Sequence, residues 1–233
     1  AFTHSFIRIL NTMRPILNLL FFLLTAVAFL GSAFFVLAKL LGGLSLAPDT
    51  KAWKETLRRL RERVKQQAGD TLVAWDKEMF GLLSLNRINL KKGGWMDNTF
   101  SGTLTTIYHE PVVAYAGRRN GNTGVLVVRT SDREIILRQK GKETEIWVNS
   151  EPFGVFTDGV LLSAGRTGKM LAQLNPSSEE TQLPVLLGTN TAAAITNPDK
   201  ASGPNPRVVT LLRDLTVEEE NALMALAMIR ILS

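Results

Sequence analysis

The chain has 233 residues, a formal net charge of +6 and no cysteine. This length suffices for one domain of ordinary size together with a membrane anchor. Without cysteine, the chain has no disulfide, zinc thiolate site, iron–sulfur cluster or cysteine nucleophile.

The first prominent feature is an apolar run over residues 15–38, which lies between Arg14 and Lys39 and contains no charged residue. As a helix it would be about 36 Å long, against a hydrocarbon core of about 30 Å. The apolar region of a cleavable signal peptide is shorter, about 7–15 residues. The sequence therefore predicts a retained transmembrane helix at 15–38 after a short flank, residues 1–14.

Basic residues are distributed unequally on the two sides of this run. Only Arg8 and Arg14 precede it. A basic cluster follows it, consisting of Lys39, Lys51, Lys54, Arg58, Arg59, Arg61, Arg63 and Lys65. The positive-inside rule places the basic flank in the cytoplasm. We expect a single-pass protein of the inner (plasma) membrane, with its N-terminus outside and its C-terminal domain cytoplasmic.

The next segment, residues 39–70, is predicted to contain an amphipathic helix that opens at Pro48-Asp49 and closes at Gly69. Its apolar residues recur at helical spacing and form one stripe with basic residues on both sides. We call these residues the juxtamembrane set: Trp53, Lys54, Leu57, Arg58, Arg59, Leu60, Arg61, Arg63, Val64 and Lys65. The pattern fits a helix that lies in a membrane interface and binds anionic lipid headgroups. It fits equally a helix whose stripe packs on its own domain or on a partner helix.

Residues 71–233 are predicted to form a mainly-β domain, because short apolar runs alternate with turn residues at regular spacing. The predicted strands are 73–80, 84–91, 103–109, 112–118, 124–130, 133–139, 143–149, 152–157, 160–164, 169–174, 184–187, 191–196 and 207–213. Such spacing favours an antiparallel barrel or sandwich. Two polar loops, 175–184 and 197–207, are expected to be mobile or to bind partners.

The last predicted element is a helix over 216–232. Thr216 and Glu219 form a capping box at its start. From Ala222 to Ile229 every residue is apolar. The eleven residues from Ala222 to Leu232 rise only about 17 Å, too short to cross a bilayer, and a helix that is apolar all round must be covered by protein. The preceding segment offers about a dozen strands that could close around it. We therefore expect a closed antiparallel β-barrel of about twelve strands that surrounds this helix.

The succession of hairpin strands followed by RVVTLLRDLTVEEENALMALAMIRIL (207–232) resembles the tubby C-terminal-like superfamily, which includes phospholipid-scramblase-like and plant LURP-type proteins. The resemblance covers about residues 73–233. It implies a twelve-stranded barrel around a hydrophobic C-terminal helix, with binding of anionic lipid or phosphoinositide or a role as a membrane-tethered scaffold. The N-terminal anchor departs from the scramblase arrangement, and no family site residue is carried over.

The sequence contains little that indicates catalysis. Its two histidines, His4 and His109, are expected on opposite sides of the membrane, so they cannot share a metal ion. GRTGK at 165–169 lacks the spacing of a phosphate-binding loop and the Ser/Thr after its lysine. No nucleophile elbow, kinase set or zincin motif is present. We predict no catalytic, cofactor-binding or metal-binding residue, no cofactor, no enzyme activity and no nucleic-acid partner.

Two classes of function remain. In the first, the chain is a non-catalytic accessory subunit of a larger membrane complex, for example a bioenergetic or photosynthetic one. Residues 15–38 would then pack on integral membrane subunits, and the barrel would brace the complex from the cytoplasmic side. In the second, the chain is a membrane-tethered module that binds anionic lipid or phosphoinositide, or resembles a scramblase.

Overall fold

The computed structural model describes residues 23–25, 27, 29, 50–68, 72–93, 98–166, 168–174 and 179–232. The predicted flank 1–14 lies outside these residues, and so does most of the predicted span 15–38. Within the described part, no helix is both long and apolar enough to cross a membrane. The chain divides into two compact units, Ala1–Trp53 and Lys54–Ser233.

Little of the first unit is described. Residues 23–25, 27 and 29 are helical. Their apolar side chains are largely exposed, with exposed fractions of 63% for Leu23, 61% for Leu24 and Val27, and 80% for Phe29.

The second unit is built on one antiparallel sheet of twelve strands, in which each strand pairs with its neighbours in sequence. The strands are β1 (Leu83–Lys92), β2 (Thr99–Thr106), β3 (Pro111–Asn120), β4 (Thr123–Arg129), β5 (Glu134–Lys140), β6 (Glu143–Val148), β7 (Glu151–Thr157), β8 (Val160–Ser163), β9 (Met170–Leu174), β10 (Gln182–Leu187), β11 (Asn190–Thr196) and β12 (Val209–Leu211). The helices are α1 (Lys51–Ala68), α2 (Met79–Leu82) and α3 (Val217–Leu232).

The sheet curves into a nearly closed barrel, because β1 meets the chain that leads into β12. The amide of Leu85 donates to the carbonyl of Pro206 at 2.9 Å, and the amide of Val208 donates to the carbonyl of Leu83 at 2.7 Å. Ser84 and Arg207 form an isolated antiparallel bridge between these hydrogen bonds. The prediction of a mainly-β antiparallel barrel of about twelve strands is confirmed at this level.

All the predicted strands but one are present. The exception is 73–80, where the chain has no strand and turns into α2. The carboxylate of Asp76 accepts hydrogen bonds from the amides of Glu78, at 2.9 Å, and Met79, at 3.2 Å. This side-chain turn competes with extended backbone and starts the short helix. The prediction of a strand at 73–80 was therefore wrong.

The apolar part of helix α3 is buried around its whole circumference. Every residue from 222 to 228 is at most 1% exposed. Because successive residues of a helix point in all directions, protein must cover every side. The same core cluster contains inward-facing strand residues such as Leu104, Ile146 and Leu183. The expectation that the apolar C-terminal helix needs a cover of protein is confirmed.

Helix α1 packs against the outside of the barrel. Its Leu57, Leu60 and Val64 are buried. Gln67 donates a side-chain hydrogen bond of 3.1 Å to Ser101, on β2. Arg61 forms an ion pair of 2.6 Å with Glu134, on β5. These contacts place the helix across the outer faces of β2 to β5.

The outer face of β2 to β5 is correspondingly buried and mainly apolar. Strand pairing puts Ser101, Ala116, Val127 and Ile136 in one row across these four strands. All four are buried, although they alternate with residues of the core cluster and so point away from it. The barrel wall therefore has a second apolar layer on the side that α1 covers.

The loop 197–207 contacts the barrel and α3 through its side chains. The expectation that it is mobile or binds partners stays a prediction. Asn205 hydrogen-bonds to Asn86 on β1 and donates to the carbonyl of Ile107 at 3.2 Å. Asn197 accepts a hydrogen bond of 2.6 Å from Arg230 of α3. The loop thus joins β11 to the closing strands. The other predicted loop, 175–184, lies partly outside the described residues.

Candidate ligand site at the mouth of the barrel

One end of the barrel, where the turns β3–β4, β5–β6 and β7–β8 lie, has polar side chains in inward register. Gly117, Leu126, Leu137 and Ile146 form one cross-strand row. Three of them belong to the core cluster. The next row on the same face, two residues further along each strand, reads Arg119, Gly124, Gln139, Thr144 and Phe156. We call this end of the barrel the mouth.

Two adjoining cavities open at the mouth. The first has a volume of about 340 Å³, and its apolar lining includes Leu126, Leu137, Phe156, Ile229 and Leu232. The second has a volume of about 720 Å³ and shares Phe100, Arg119 and Leu232 with the first. The last turn of α3 therefore forms part of the floor of both cavities.

Glycine at position 117 makes room for one wall of the mouth. A Cβ atom there would lie 2.4 Å from Cζ of Phe100, so the ring lies directly over the glycine. The Phe100 ring also packs against Tyr115, with ring centroids 6.4 Å apart. Burial raises the pKa of Tyr115, and the neighbouring charge of Arg87 lowers it by a smaller amount.

The lining of the two cavities is strongly basic. It includes Arg87, Lys91, Lys92, Arg118, Arg119 and Lys142. Arg87 donates to the main-chain carbonyl of Ile231, so it caps the C-terminal end of α3. The other five form no ion pair with a described residue. Asp158 is the one carboxylate among the lining residues of the described chain.

The predicted juxtamembrane set is divided by the structure into a buried part and an exposed part. The apolar members are covered, with exposed fractions of 7% for Trp53, 8% for Leu57, 2% for Leu60 and 1% for Val64. Leu57, Leu60 and Val64 cover the barrel wall, as in the alternative in which the stripe packs on the chain's own domain. Binding of anionic lipid headgroups by the set stays a prediction.

The basic members of the set remain mostly at the surface, but several are tied to acidic neighbours. Arg58 binds Glu55 at 2.9 Å and Glu62 at 2.5 Å, and Arg59 binds Glu55 at 2.8 Å. The hydrogen bonds from Arg58 and Arg59 lower the pKa of Glu55 to about 2. Lys54 and Lys65 are exposed, whereas Arg63 is half-buried and donates to Thr99.

The histidine and the glycine-rich motif that could suggest metal or phosphate binding both lie between strands. His109 follows β2 with a φ of 67°, and its ring lies 3.5 Å from the amide of Asn205. GRTGK at 165–169 connects β8 and β9. No group of three or more potential metal ligands occurs among the described residues.

The sequence did not lead us to predict a ligand site at the mouth, because RNGNTG (119–124) and KGK (140–142) indicate only hairpin turns. A usable signal was nevertheless present. Arg119 continues the inward positions Val113, Tyr115 and Gly117 of β3, and Gln139 continues Ile135 and Leu137 of β5. A polar residue at the end of an inward apolar register faces the barrel opening.

Comparison with known proteins assigns no family to the chain. No protein-family model matches the chain, and no curated protein or solved structure is significantly similar to it.

Proposed function

We propose that the chain is a non-catalytic, membrane-tethered accessory subunit whose barrel braces a larger membrane complex from the cytoplasmic side. The observation that carries this proposal is the exposed apolar surface of the helical residues Leu23, Leu24 and Val27. They belong to the uncharged run 15–38. A helix that exposes such residues needs lipid or another apolar helix around it.

The attachment of α1 supports a bracing role. Only residues 39–50 separate the apolar run from this helix. From Lys54 onward, α1 is held on the barrel by its buried stripe and by the Arg61–Glu134 ion pair. A helix that is fixed on the barrel in this way can hold the barrel in a defined place, whereas a flexible linker cannot.

A lipid-engaging module is the second candidate, and the unpaired cations around an apolar mouth favour it. The strand number and the buried terminal helix agree with the architecture that the tubby-like resemblance implies. Anionic lipid would then be a partner of the barrel rather than of the apolar stripe of α1.

Purification in mild detergent followed by mass spectrometry tests the proposal. The full chain should retain stoichiometric integral membrane partners, and the same chain without residues 1–38 should lose them. Recovery of the full chain alone, with bound anionic lipid, would reject the accessory role and favour the second candidate. Recovery of the full chain in the soluble fraction would reject the anchor itself.

A further inference from the structure

We propose that the mouth of the barrel binds an anionic amphiphile, with the phosphate or carboxylate held by Arg119 and Lys142 and the hydrocarbon chain laid on the floor of Leu126, Leu137 and Leu232. The inference concerns the barrel alone. It holds whether or not residues 15–38 cross a membrane. It goes beyond the role of an accessory subunit and deepens the second candidate, on which it rests, by naming the residues that hold the ligand and the class of ligand.

Shape is the first argument. The smaller cavity, at about 340 Å³, already lies within the range of about 300–1,000 Å³ that is usual for small-molecule sites. The adjoining cavity of about 720 Å³ continues it past Phe100 towards Leu90, a residue that is 62% exposed. The combined space is a groove that begins at the end of α3 and opens at the barrel edge.

Charge is the second argument. Arg119 and Lys142 come from different hairpins, β3–β4 and β5–β6, yet both line the smaller cavity. Neither forms an ion pair with a described residue, although the Asp158 carboxylate lines the same cavity. Elsewhere in the unit Arg61, Arg138 and Arg213 all have acidic partners. Cations left unpaired beside an apolar floor match a ligand with an anionic head and an apolar body.

The apolar floor decides between two sources of the same anionic group. A free phosphate would need only the cations and would leave uncovered the small surface that the buried Leu126, Leu137 and Leu232 still expose at the mouth, 8%, 4% and 6% respectively. An amphiphile covers them, and each buried CH₂ group is worth about 0.8 kcal/mol in free energy of transfer. The geometry thus favours a long-chain carboxylate or a single-chain phospholipid over an inorganic anion.

Photolabelling of the full chain, held in phosphatidylcholine nanodiscs, tests the proposal. The probes are a diazirine-bearing palmitic acid and its uncharged methyl ester. We expect the acid to label peptides that contain Leu126, Leu137 or Leu232, and the ester to label them at least tenfold less. Whether the chain enters the nanodisc tests the predicted membrane anchor separately from ligand binding. If the chain stays in solution, the same photolabelling can be done there.

Matched variants identify the cations. Arg119→Glu with Lys142→Glu should reduce mouth labelling at least tenfold, and the milder Arg119→Gln with Lys142→Gln should reduce it in the same direction. Lys77→Glu with Arg166→Glu changes the charge equally at the opposite end of the barrel and should leave labelling unchanged. Melting temperatures of all the variants establish that they fold.

Two results would overturn the inference. One is equal labelling by the acid and the ester in folded protein, or labelling spread over the whole surface. The other is absence of mouth labelling together with a rise in melting temperature in inorganic phosphate that the Arg119 and Lys142 variants abolish. That second result would assign the mouth to a free anion.

Discussion

The guanidinium of Arg133 lies 3.5 Å from the carboxylate of Glu220, and both side chains are nearly buried, with exposed fractions of 11% and 6%. Arg133 belongs to the β4–β5 turn, and Glu220 lies in the first turn of α3. Arg133 also donates to the side chain of Asn221 at 2.8 Å and pairs with Asp132 at 2.7 Å. One arginine thus joins the barrel wall to the start of the central helix.

Removing only the arginine should be strongly destabilising. Arg133→Ala leaves the Glu220 carboxylate buried without its partner, and breaking a buried pair in this way costs about 3–5 kcal/mol. Arg133→Met combined with Glu220→Leu removes both charges and should lose less stability than the single change. Urea unfolding of the full chain measures both effects. A single variant within about 1 kcal/mol of the wild type would show that the pair does not anchor the helix.

The capping box of α3 should make the protein sensitive to acid. Glu219 accepts hydrogen bonds from Arg213 and from the amide of Thr216, at 2.9 Å, and it lies next to the Thr216 hydroxyl. Chiefly because of Arg213, and against the opposing effect of burial, the pKa of Glu219 falls from 4.5 to about 2. A carboxylate whose pKa is lower in the folded state stabilises the fold above its unfolded pKa. That contribution is lost as the pH falls from about 4.5 to about 2.

Glu219→Gln should therefore lower the melting temperature at neutral pH and flatten its fall between pH 5 and pH 2. Glu218→Gln, in the same helical turn, leaves the capping box intact and should change the profile less. Thermal unfolding across this pH range, followed by circular dichroism, provides the comparison. Identical slopes for Glu219→Gln and the wild type would contradict the assignment.

Strand positions could be predicted from the sequence because turn residues and alternation specify them together. The same alternation gave a wrong strand at 73–80, since the local turn made by Asp76 outweighs it. An amphipathic stripe such as Leu57, Leu60 and Val64 shows only that apolar cover is needed. Whether lipid or protein supplies the cover depends on the distant row from Ser101 to Ile136, which no local pattern reveals.

The packing of α1 on the barrel leads to a matched pair of substitutions. Val64→Asp places a carboxylate at a site that is 1% exposed, and it should cost about 3 kcal/mol or more because the charge has no partner there. Lys65→Asp, one residue further on the exposed side, should have little effect. Equal stability of the two variants in urea unfolding would contradict the packing of α1 on the barrel and favour the interpretation of α1 as a helix that lies in the membrane interface.

The orientation in the membrane can be tested by cysteine labelling, because the native chain has no cysteine. Ser202 is exposed in the loop after β11, so Ser202→Cys provides an accessible probe of the barrel. We expect an impermeant thiol reagent to label Ser5→Cys in intact cells, and Ser202→Cys only after the membrane is opened. The reverse pattern would contradict the prediction of a cytoplasmic barrel drawn from the basic flank.

The stability of the barrel should depend most strongly on α3, whose apolar side chains fill its core. Leu223, Met224, Leu226 and Met228 are fully buried, and each buried side chain of this kind is worth about 1.5–3 kcal/mol. Together they represent a free energy comparable with the net stability of a whole domain, about 5–15 kcal/mol. A chain that ends at Asp214 should therefore lose the cooperative unfolding transition of the barrel.

Point substitutions in the same helix separate burial from a general effect of added charge. Leu226→Asp puts an unpaired carboxylate at a site with 0% exposure and should prevent folding. Val217→Asp adds the same charge at a residue that is 69% exposed, where the positive end of the helix dipole favours it, and should fold normally. Calorimetry of these variants and of the truncated chain measures whether the barrel needs α3 in order to fold. If the chain that ends at Asp214 melts cooperatively near the wild-type temperature, the barrel folds without its central helix, and the terminal segment is a docking peptide.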